Sequence, residues 1–504
     1  MNKTLGELLT GISYELLQGS LTTTIKSIAY DSRKVNKGTL FVAIPGFTSD
    51  GHNYIPQAVS SGAICVITER RINAEPGVTI ILVESSREAM AVLAANFYDH
   101  PSKKCKVIGI TGTNGKTTSI YILKSIYESA GHKVALIGTI GASIAGEDIQ
   151  INNTTPESTD LQYLYSEMVK KKAEYCFIEV SSHALSLQRV HQTFFSGAIF
   201  TNLSPDHLEF HKDMEDYFQA KKKLFPAKGK CNIINNDDPY GRMLIRELLE
   251  KKSNVITYGI QNVSDVMASD IGYFYNKTVF TLQTPIGSKR VTCKLPGDYN
   301  LYNCLTAAAW AFADGRSLEE IVFGIEHVEG VKGRFETAYE DEELRVIIDF
   351  AHTEEGLKKV ISAVREFAGG NIILVFGVYV AGSGENGQYK RYNMGKIAGE
   401  YADYVVITSD NPKDQDPVMI IDQITKGVKQ ETNAYQSYVD RKEAIEKAIA
   451  IASPGDVILI TGKGHETSQV IGGKEVPFNE KEIVLSAIDK VKLNSGRVLN
   501  PSEG

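Results

Sequence analysis

A chain of 504 residues is too long for one compact core, and at roughly 100–200 residues per domain it divides into about three. Its 42% hydrophobic and 23% charged residues are those of an ordinary folded protein, which excludes disorder as a working state. The net charge of −7 and a pI near 5.9 repel a phosphodiester backbone, which argues against nucleic acid as a partner but leaves room for a small phosphorylated ligand.

The six cysteines, Cys65, Cys105, Cys176, Cys231, Cys293 and Cys304, are scattered without a CxxC pair, as suits reduced thiols in a cytoplasm. No segment approaches 18 consecutive apolar residues, so no membrane span is expected. The opening segment, MNKTLGELLTGISYELL, lacks the apolar run of a signal peptide and reads as an amphipathic helix.

From there to about residue 100, short apolar runs (SIAYDS, GTLFVAI, CVITE, TIILVE) alternate with helical patterns such as HNYIPQAVSSGA and SREAMAVLAANFYDH. Pro101 and the lysines after it break this α/β rhythm. KVIGITGTNGKTTSIYILKSIYESAG then reads as a buried strand, a Gly-rich turn and a helix, the opening unit of a doubly wound nucleotide-binding domain. Strands at KVALIGT, EYCFIEVS, GAIFTNL and CNIINND continue a mostly parallel sheet. Residues 255–296 instead alternate aromatic and β-branched residues with polar ones, as antiparallel strands do, and NLYNCLTAAAWAFADG is an Ala-rich helix. A Gly-punctuated loop around Arg334 leads into a new α/β series: RVIIDF, NIILVF, YVVITSD and DVILITG. The expected domains are residues 1–103, 104–334 and 335–504.

The segment ITGTNGKTT, residues 110–118, carries the chemistry most openly. Gly112 and Gly115 let backbone approach phosphates closely. Lys116 can neutralise the terminal phosphates, Thr117 can offer its hydroxyl to Mg²⁺, and the helix N-terminus adds a favourable dipole. Thr113, Asn114 and Thr118 complete the loop. The strict GxxxxGK[ST] pattern is not met, because its first glycine would fall at Ile110. A bland Gly turn before a helix is the competing reading, and GKTT directly after a strand counts against it.

TGTNGKTT resembles the phosphate loop shared by the Mur ligases and folylpolyglutamate synthetase. EVSSHALSLQRV, TNLSPDHLEFH, YFQAKKKLF, GVKGRFE, DFAH, DNPK and TGKGHE then follow in the order of the MurE branch of the Mur ligases, so the resemblance covers nearly the whole chain. It implies three α/β domains: a central P-loop nucleotide-binding parallel sheet, an N-terminal domain for the UDP-linked substrate, and a C-terminal Rossmann-like domain for the amino acid. It also implies an ATP-dependent, ADP-forming ligase that activates a carboxylate as an acyl phosphate and joins it to an amine. Members of that branch add an amino acid, usually meso-diaminopimelate or L-lysine, to UDP-N-acetylmuramoyl-L-alanyl-D-glutamate in peptidoglycan synthesis. The implied partners are therefore small molecules (the UDP-linked muramoyl dipeptide, an amino acid and ATP), acting on a monomer.

Acyl phosphate formation brings two anions together, and a divalent cation screens them. Mg²⁺ takes hard oxygen ligands, and Glu179, at the end of the strand YCFIEV, can supply one. The resemblance places Thr117 and Glu179 at the metals, makes His207 a ligand of a second ion, and singles out Lys221, the first lysine of AKKKLF, as a residue carbamylated by CO₂ that helps hold that ion. Without it, AKKKLF would read as a solvated charge run. Lys116, Lys221 and His207 are the expected catalytic residues.

By the same resemblance, Ser32 of the DSR motif (Asp31 to Arg33) meets the uracil nucleotide. Thr154 and Thr155 of TTPE, with Ser182 and Arg189, contact the nucleotide-sugar peptide. Asn303 lies on the adenine side, and Arg334, Asp349 and His352 lie where the second and third domains close over ATP. Asp410, Asn411 and Lys413 of DNPK, with Gly462 and Glu466 of TGKGHE, face the incoming amino acid.

The chain departs from the family pattern here. Lys413 stands where diaminopimelate-using members usually carry arginine, keeping the charge but losing the two-pronged geometry. The segment corresponding to GGDRDxGKR reads GSGENGQYKR, which puts Asn386 in place of an arginine and Glu385 in place of an aspartate; Lys390 and Arg391 remain. Phe350 replaces the tyrosine of DYAH. Two enzymes fit: a cell-wall ligase with unusual third-domain contacts, or a paralogue that adds another amino acid in a specialised pathway. A catalytically silent binding subunit would have lost metal or phosphate residues, yet Lys116, Thr117, Glu179, His207 and Lys221 are all present. Folylpolyglutamate synthetase fits less well, because of the extra N-terminal domain with DSR and the TTPE block.

Overall fold

The computed structural model describes residues 3–46, 49–73, 76–225, 231–379 and 384–494. The apolar runs become three separate sheets. The first has five strands in the order Tyr14–Gln18, Thr79–Val83, Ala63–Thr68, Thr39–Val42 and Ser27–Ala29. All its pairings are parallel except the first.

The second sheet has eleven strands. Its parallel centre runs Val134–Gly138, Tyr175–Glu179, Lys106–Thr111, Phe195–Phe200, Cys231–Asn235, Asn254–Gly259. Val266–Phe274 joins it in parallel and is followed by the antiparallel strands Lys277–Thr284 and Gly287–Cys293, where the alternating pattern of residues 255–296 placed them. A second antiparallel edge, Gly141–Ile144 with Glu147–Ile149, has no counterpart in the sequence reading. The central sheet is therefore mixed at both ends, not purely parallel.

The third sheet has six strands, Glu336–Glu340, Arg345–Asp349, Val457–Thr461, Ile372–Phe376, Tyr404–Thr408 and Tyr435–Tyr438. Only its first pair is antiparallel.

The N-terminal segment is not the expected amphipathic helix. Leu5–Leu8 forms one helical turn closed by a capping box between Thr4 and Glu7, and Tyr14–Gln18 is a strand. Gly11, at φ 85°, turns the chain out of the helix, and pairing with Thr79–Val83 fixes the strand.

The middle domain shows how composition sets packing. The helix Asp298–Ala313 buries Ala307, Ala308, Ala309 and Ala311, whose small side chains let it lie close on the sheet. Trp310 of that helix sits over Gly197, where an added Cβ would come within 2.0 Å of the indole. Both faces of this sheet carry their own apolar core, so it is buried on both sides, as a parallel sheet requires. Among the described residues no helix is long and apolar enough to cross a membrane, and all six cysteines are free.

The strand Lys106–Thr111 is a switch point. The chain crosses from it toward Val134–Gly138 on one side and later returns on its other side at Phe195–Phe200. Open α/β sheets bind ligands in the crevice beyond the carboxyl ends of their strands at such a point. Here the carboxyl ends of the second and third sheets face one another across a single cleft.

Candidate active site

That cleft has a volume of about 810 Å³. One wall comes from the strand ends of the middle domain: the loop after Thr111, Thr139, Glu179, Asn202, Asp206 and His207. The other comes from the third domain: Asp349 to His352, Tyr379, Lys390, Asp410, Asn411, Gly462 and Glu466.

The phosphate loop is held by glycines that nothing else could replace. Gly112 is at φ 149° and its Cβ would lie 1.9 Å from Thr201 Oγ1; Gly115 is at φ 86° and its Cβ would lie 2.4 Å from Asn303 Oδ1. The loop is braced by the strand beyond: Asn202 accepts the Thr113 N–H on its carbonyl (2.8 Å) and the Asn114 N–H on its side chain (2.9 Å). Lys116 Nζ donates to the loop's own carbonyls at Gly112 (2.9 Å) and Thr113 (2.8 Å). Burial lowers its pKa against the pull of Glu179 and Asp206.

Glu179 is 1% exposed and accepts from the Thr117 hydroxyl (2.9 Å), the Thr139 N–H (2.9 Å) and the Thr139 hydroxyl (3.1 Å). Arg334 reaches across from the third-domain side and donates to Thr117 Oγ1 at 3.2 Å. The hydroxyl of Thr117 and the carboxylate of Glu179 thus form a hard-oxygen pair beside the loop, the donor chemistry that suits Mg²⁺. Among the described residues no cluster of three or more His, Cys, Asp or Glu exists that would hold an ion unaided.

Lys221 is 2% exposed, and its Nζ donates to the Gly112 carbonyl at 2.8 Å from above the Tyr217 ring. Burial holds its amine well below the usual lysine range, and nearby Lys116 lowers it further. The solvated charge run is thereby excluded for this lysine. Lys222 fits that description instead: it pairs with Glu247 on the surface.

His207, at φ 55°, is part of a charged cluster that joins two domains. Asp206, nearly buried, meets His207 Nε2 (3.3 Å), Lys390 Nζ (3.0 Å) and His352 Nε2 (3.9 Å). Burial works to raise the Asp206 pKa, but His207, Lys390 and His352 together outweigh it and hold the carboxyl far below its ordinary range. Burial pushes His352 down to about 4, so its ring is neutral near pH 7, with Nδ1–H donating to the Phe350 carbonyl at 3.0 Å. Asp349 accepts the N–H groups of Phe335 and Ala351, both at 2.7 Å, and so ties the loop after Arg334 to the end of the strand Arg345–Asp349.

Other expected site residues are engaged within the protein. Asn303 Nδ2 donates to Asn300 (3.1 Å). Thr155 donates to the Glu179 carbonyl (2.9 Å), Thr154 meets Thr139 (3.2 Å), and Ser182 pairs with His211 Nε2 (2.9 Å). Arg189 binds Glu157 (2.9 Å) and the Thr155 carbonyl (3.1 Å). Ser32 is buried, 3.0 Å from Gln57, in the first domain. Of these six N-terminal and middle-domain residues, Thr154 and Asn303 line the main cleft.

In the third domain, Glu466 Oε2 accepts from buried Lys463 (2.6 Å) and from Asn411 (2.9 Å). Burial raises Asp410 to about 6 against the attraction of Lys463 and Arg441. Gly462, at φ 111°, passes so close to Asp410 that a Cβ would lie 2.7 Å from its carboxylate. Lys413 is exposed and donates to the Tyr379 hydroxyl at 2.7 Å. Asn386 does not line the cleft; its amide donates to the Leu208 carbonyl of the middle domain at 3.1 Å. Arg391 is buried against Gln415 (2.6 Å) and Gln423 (2.9 Å). The start of the GSGENGQYKR segment, at residues 382–383, lies outside the described residues.

Motif reading passed over Thr139, Asp206, Asp237, Tyr379 and Lys463. The first three sit just past the carboxyl ends of parallel strands, a position that itself points to a ligand site. Asp237 accepts N–H groups from Ile260, Gln261 and Asn262 and the Tyr302 hydroxyl (2.8 Å), closing the far end of the cleft.

A phosphate loop and a facing α/β domain that share one cleft are the working parts of an ATP-dependent ligase. Residues 110–311 match the Mur ligase middle domain, residues 333–464 the Mur ligase glutamate ligase domain, and residues 24–98 the catalytic domain of the Mur ligase family. The chain is 44% identical over 478 residues to the UDP-N-acetylmuramoyl-L-alanyl-D-glutamate–2,6-diaminopimelate ligase of Caldanaerobacter subterraneus subsp. tengcongensis, covering 95% of this chain and 97% of that one. It is 43% identical over 487 residues to the enzyme of the same name from Clostridioides difficile, covering 97% and 100%. A solved structure of a ligase of that name superposes with a TM-score of 0.66 at 28% identity, over 97% of this chain and 99% of the other. MurF ligase from Thermotoga maritima in complex with ADP shares the fold, with a TM-score of 0.64 at 19% identity over 93% and 98%. The chain belongs to the Mur ligase family.

Proposed function

We propose that this enzyme joins meso-diaminopimelate to UDP-N-acetylmuramoyl-L-alanyl-D-glutamate, converting ATP to ADP and phosphate, as a cytoplasmic, monomeric catalyst of peptidoglycan precursor synthesis. The observation that carries the reading is the single cleft with Lys116, Thr117 and Glu179 on one wall and Asp410, Asn411 and Glu466 on the other. Relatives that share 40–45% identity and bear the diaminopimelate ligase name support the choice of substrates.

The dipeptide carboxylate attacks the γ-phosphorus of ATP, and ADP leaves with the bridging oxygen. The amine of the incoming amino acid then attacks the acyl carbon, loses a proton, and phosphate departs. Lys116 moves from its loop carbonyls to the transferred phosphoryl group, and the loop N–H groups orient the phosphates. Thr117 and Glu179 would hold Mg²⁺, whose charge would screen the two approaching anions. Lys221 would carry a CO₂-derived carbamate, formed when its amine adds to CO₂ and loses a proton, and this group would give the site beside His207 another carboxylate-like ligand; burial, which lowers the amine's pKa, favours that addition. Arg334 and the Asp206–Lys390 pair draw the third domain over the cleft and keep water from the acyl phosphate.

The test is phosphate release by the purified enzyme with ATP, the UDP-linked dipeptide and a panel of amino acids. meso-Diaminopimelate is expected to give the highest kcat/KM. Preference for L-lysine or a neutral amino acid would sink the substrate assignment and favour the paralogue reading, for which Lys413 and Asn386 are the motive. No phosphate release with any amino acid would sink the catalytic reading altogether.

A further inference from the structure

We infer that Tyr379 and Lys413 act as a two-donor pair that holds the far-end carboxylate of the incoming amino acid. The inference rests on the diaminopimelate reading above and names a residue, Tyr379, outside the motifs that led to it.

Tyr379 lies just past the strand Ile372–Phe376, at the carboxyl edge of the third sheet, and lines the cleft. Its hydroxyl accepts from Lys413 Nζ at 2.7 Å. A phenol oxygen that accepts one hydrogen bond keeps its own O–H to donate, and an ammonium with one N–H engaged keeps two more. The pair can therefore present one O–H and one N–H side by side. A carboxylate is best met by two adjacent donors, which arginine supplies in one planar group and lysine alone does not.

The backbone under Lys413 is fixed for the task. Lys413 is in the left-handed region at φ 52°, which a lysine rarely adopts, and the antiparallel hairpin Ser468–Ile471 with Lys474–Pro477 beside it holds it there. Its N–H donates to the Val470 carbonyl (2.9 Å), and its carbonyl accepts the Gly472 N–H (2.7 Å).

Charge then sets the polarity of the subsite. Two residues before Lys413, Asn411 binds Glu466, whose carboxylate lines the cleft. Lys463 and Asn411 both engage Glu466 Oε2, so Oε1 is the oxygen left to accept from a ligand ammonium, whereas the Tyr379–Lys413 pair donates to a carboxylate. A far end that carries both groups is matched by both; the side chain of L-lysine, which carries only the ammonium, has nothing for the pair.

Steady-state kinetics of Tyr379→Phe with meso-diaminopimelate and L-lysine test this. The kcat/KM ratio of diaminopimelate to lysine should fall about tenfold, through the KM for diaminopimelate, while the KM for ATP stays put. Lys413→Arg, added to Tyr379→Phe, should restore the ratio, because a guanidinium supplies both donors. An unchanged ratio in Tyr379→Phe, or no rescue by arginine, overturns the pair. A wild-type enzyme that does not prefer diaminopimelate overturns the underlying reading and the pair with it, whereas a wild-type preference that survives Tyr379→Phe overturns the pair alone.

Discussion

The two walls of the cleft are built on different principles. The middle-domain wall is backbone and buried side chains: Gly112 and Gly115 have no room for a Cβ, Glu179 accepts from Thr117 and Thr139, and Lys221 donates to the loop carbonyl of Gly112. The third-domain wall presents longer side chains, Glu466 and Tyr379, each held by a lysine that does not itself line the cleft, Lys463 buried and Lys413 exposed. Phosphoryl transfer is the same reaction whatever amino acid is added, so its wall has no need to change with the acceptor. The acceptor wall can exchange side chains without disturbing the loop, and that is where the chain departs from its family's pattern.

If this contrast is right, substitutions on the first wall abolish chemistry. Lys116→Ala should lower kcat by at least about 10³-fold, since a positioned cation is lost from the transferred phosphoryl group. Phosphate release at near wild-type rate would remove Lys116 from the reaction. Lys221→Ala should be nearly as damaging and be partly rescued by a short carboxylic acid that enters the vacated space. Lys222→Ala, one residue on, should resemble wild type. Equal tolerance at the two lysines would contradict a metal-side role for Lys221.

The second wall should reveal itself through pH. Asp410 has a folded-state pKa near 6, raised by burial from 3.8, so the native protein binds a proton there that the unfolded chain releases at lower pH. That proton favours the folded state at low pH, and the benefit is lost as pH rises from about 4 to above 6, a change of about 3 kcal/mol at most. Asp410→Asn should remove this component, so the difference in Tm between variant and wild type should shift in the variant's favour between pH 4 and pH 7. A pH-independent difference would show that Asp410 is ionised throughout.

The sequence made the first wall legible because its determinants are local. A β-branched run, two glycines and GKTT lie within a few residues, and each shapes the next. The parallel strands were equally plain, since burial on both faces leaves continuous apolar runs. What escaped notice depends on distant pairing. Residues 14–18 read as helix until the strand Thr79–Val83 claims them, and the hairpin at residues 141–149 has only a short signal. Composition alone makes Lys221 look like its neighbours in AKKKLF; the family resemblance singles it out, and the fold buries it while leaving Lys222 paired with Glu247 at the surface. Asp206 gains its importance from Lys390 and His352, which lie more than 140 residues away in the chain.

The smallest expected effect concerns Asn386, and it decides which wall that residue serves. By motif order Asn386 occupies the place of an arginine that touches the amino acid; in the fold its amide instead donates to the Leu208 carbonyl, next to His207, across the domain boundary. A residue that contacts the amino acid would alter only the KM for that substrate. A residue that helps seat one domain on the other would alter every step that needs closure. Asn386→Ala removes one neutral hydrogen bond, worth about 0.5–1.5 kcal/mol, at an accessible boundary. The apparent KM values for ATP and for diaminopimelate should therefore rise together, by about two- to fivefold, with selectivity over L-lysine unchanged. A rise confined to diaminopimelate would return Asn386 to the acceptor subsite and would mean that the variable wall extends one helix turn further than the contacts show.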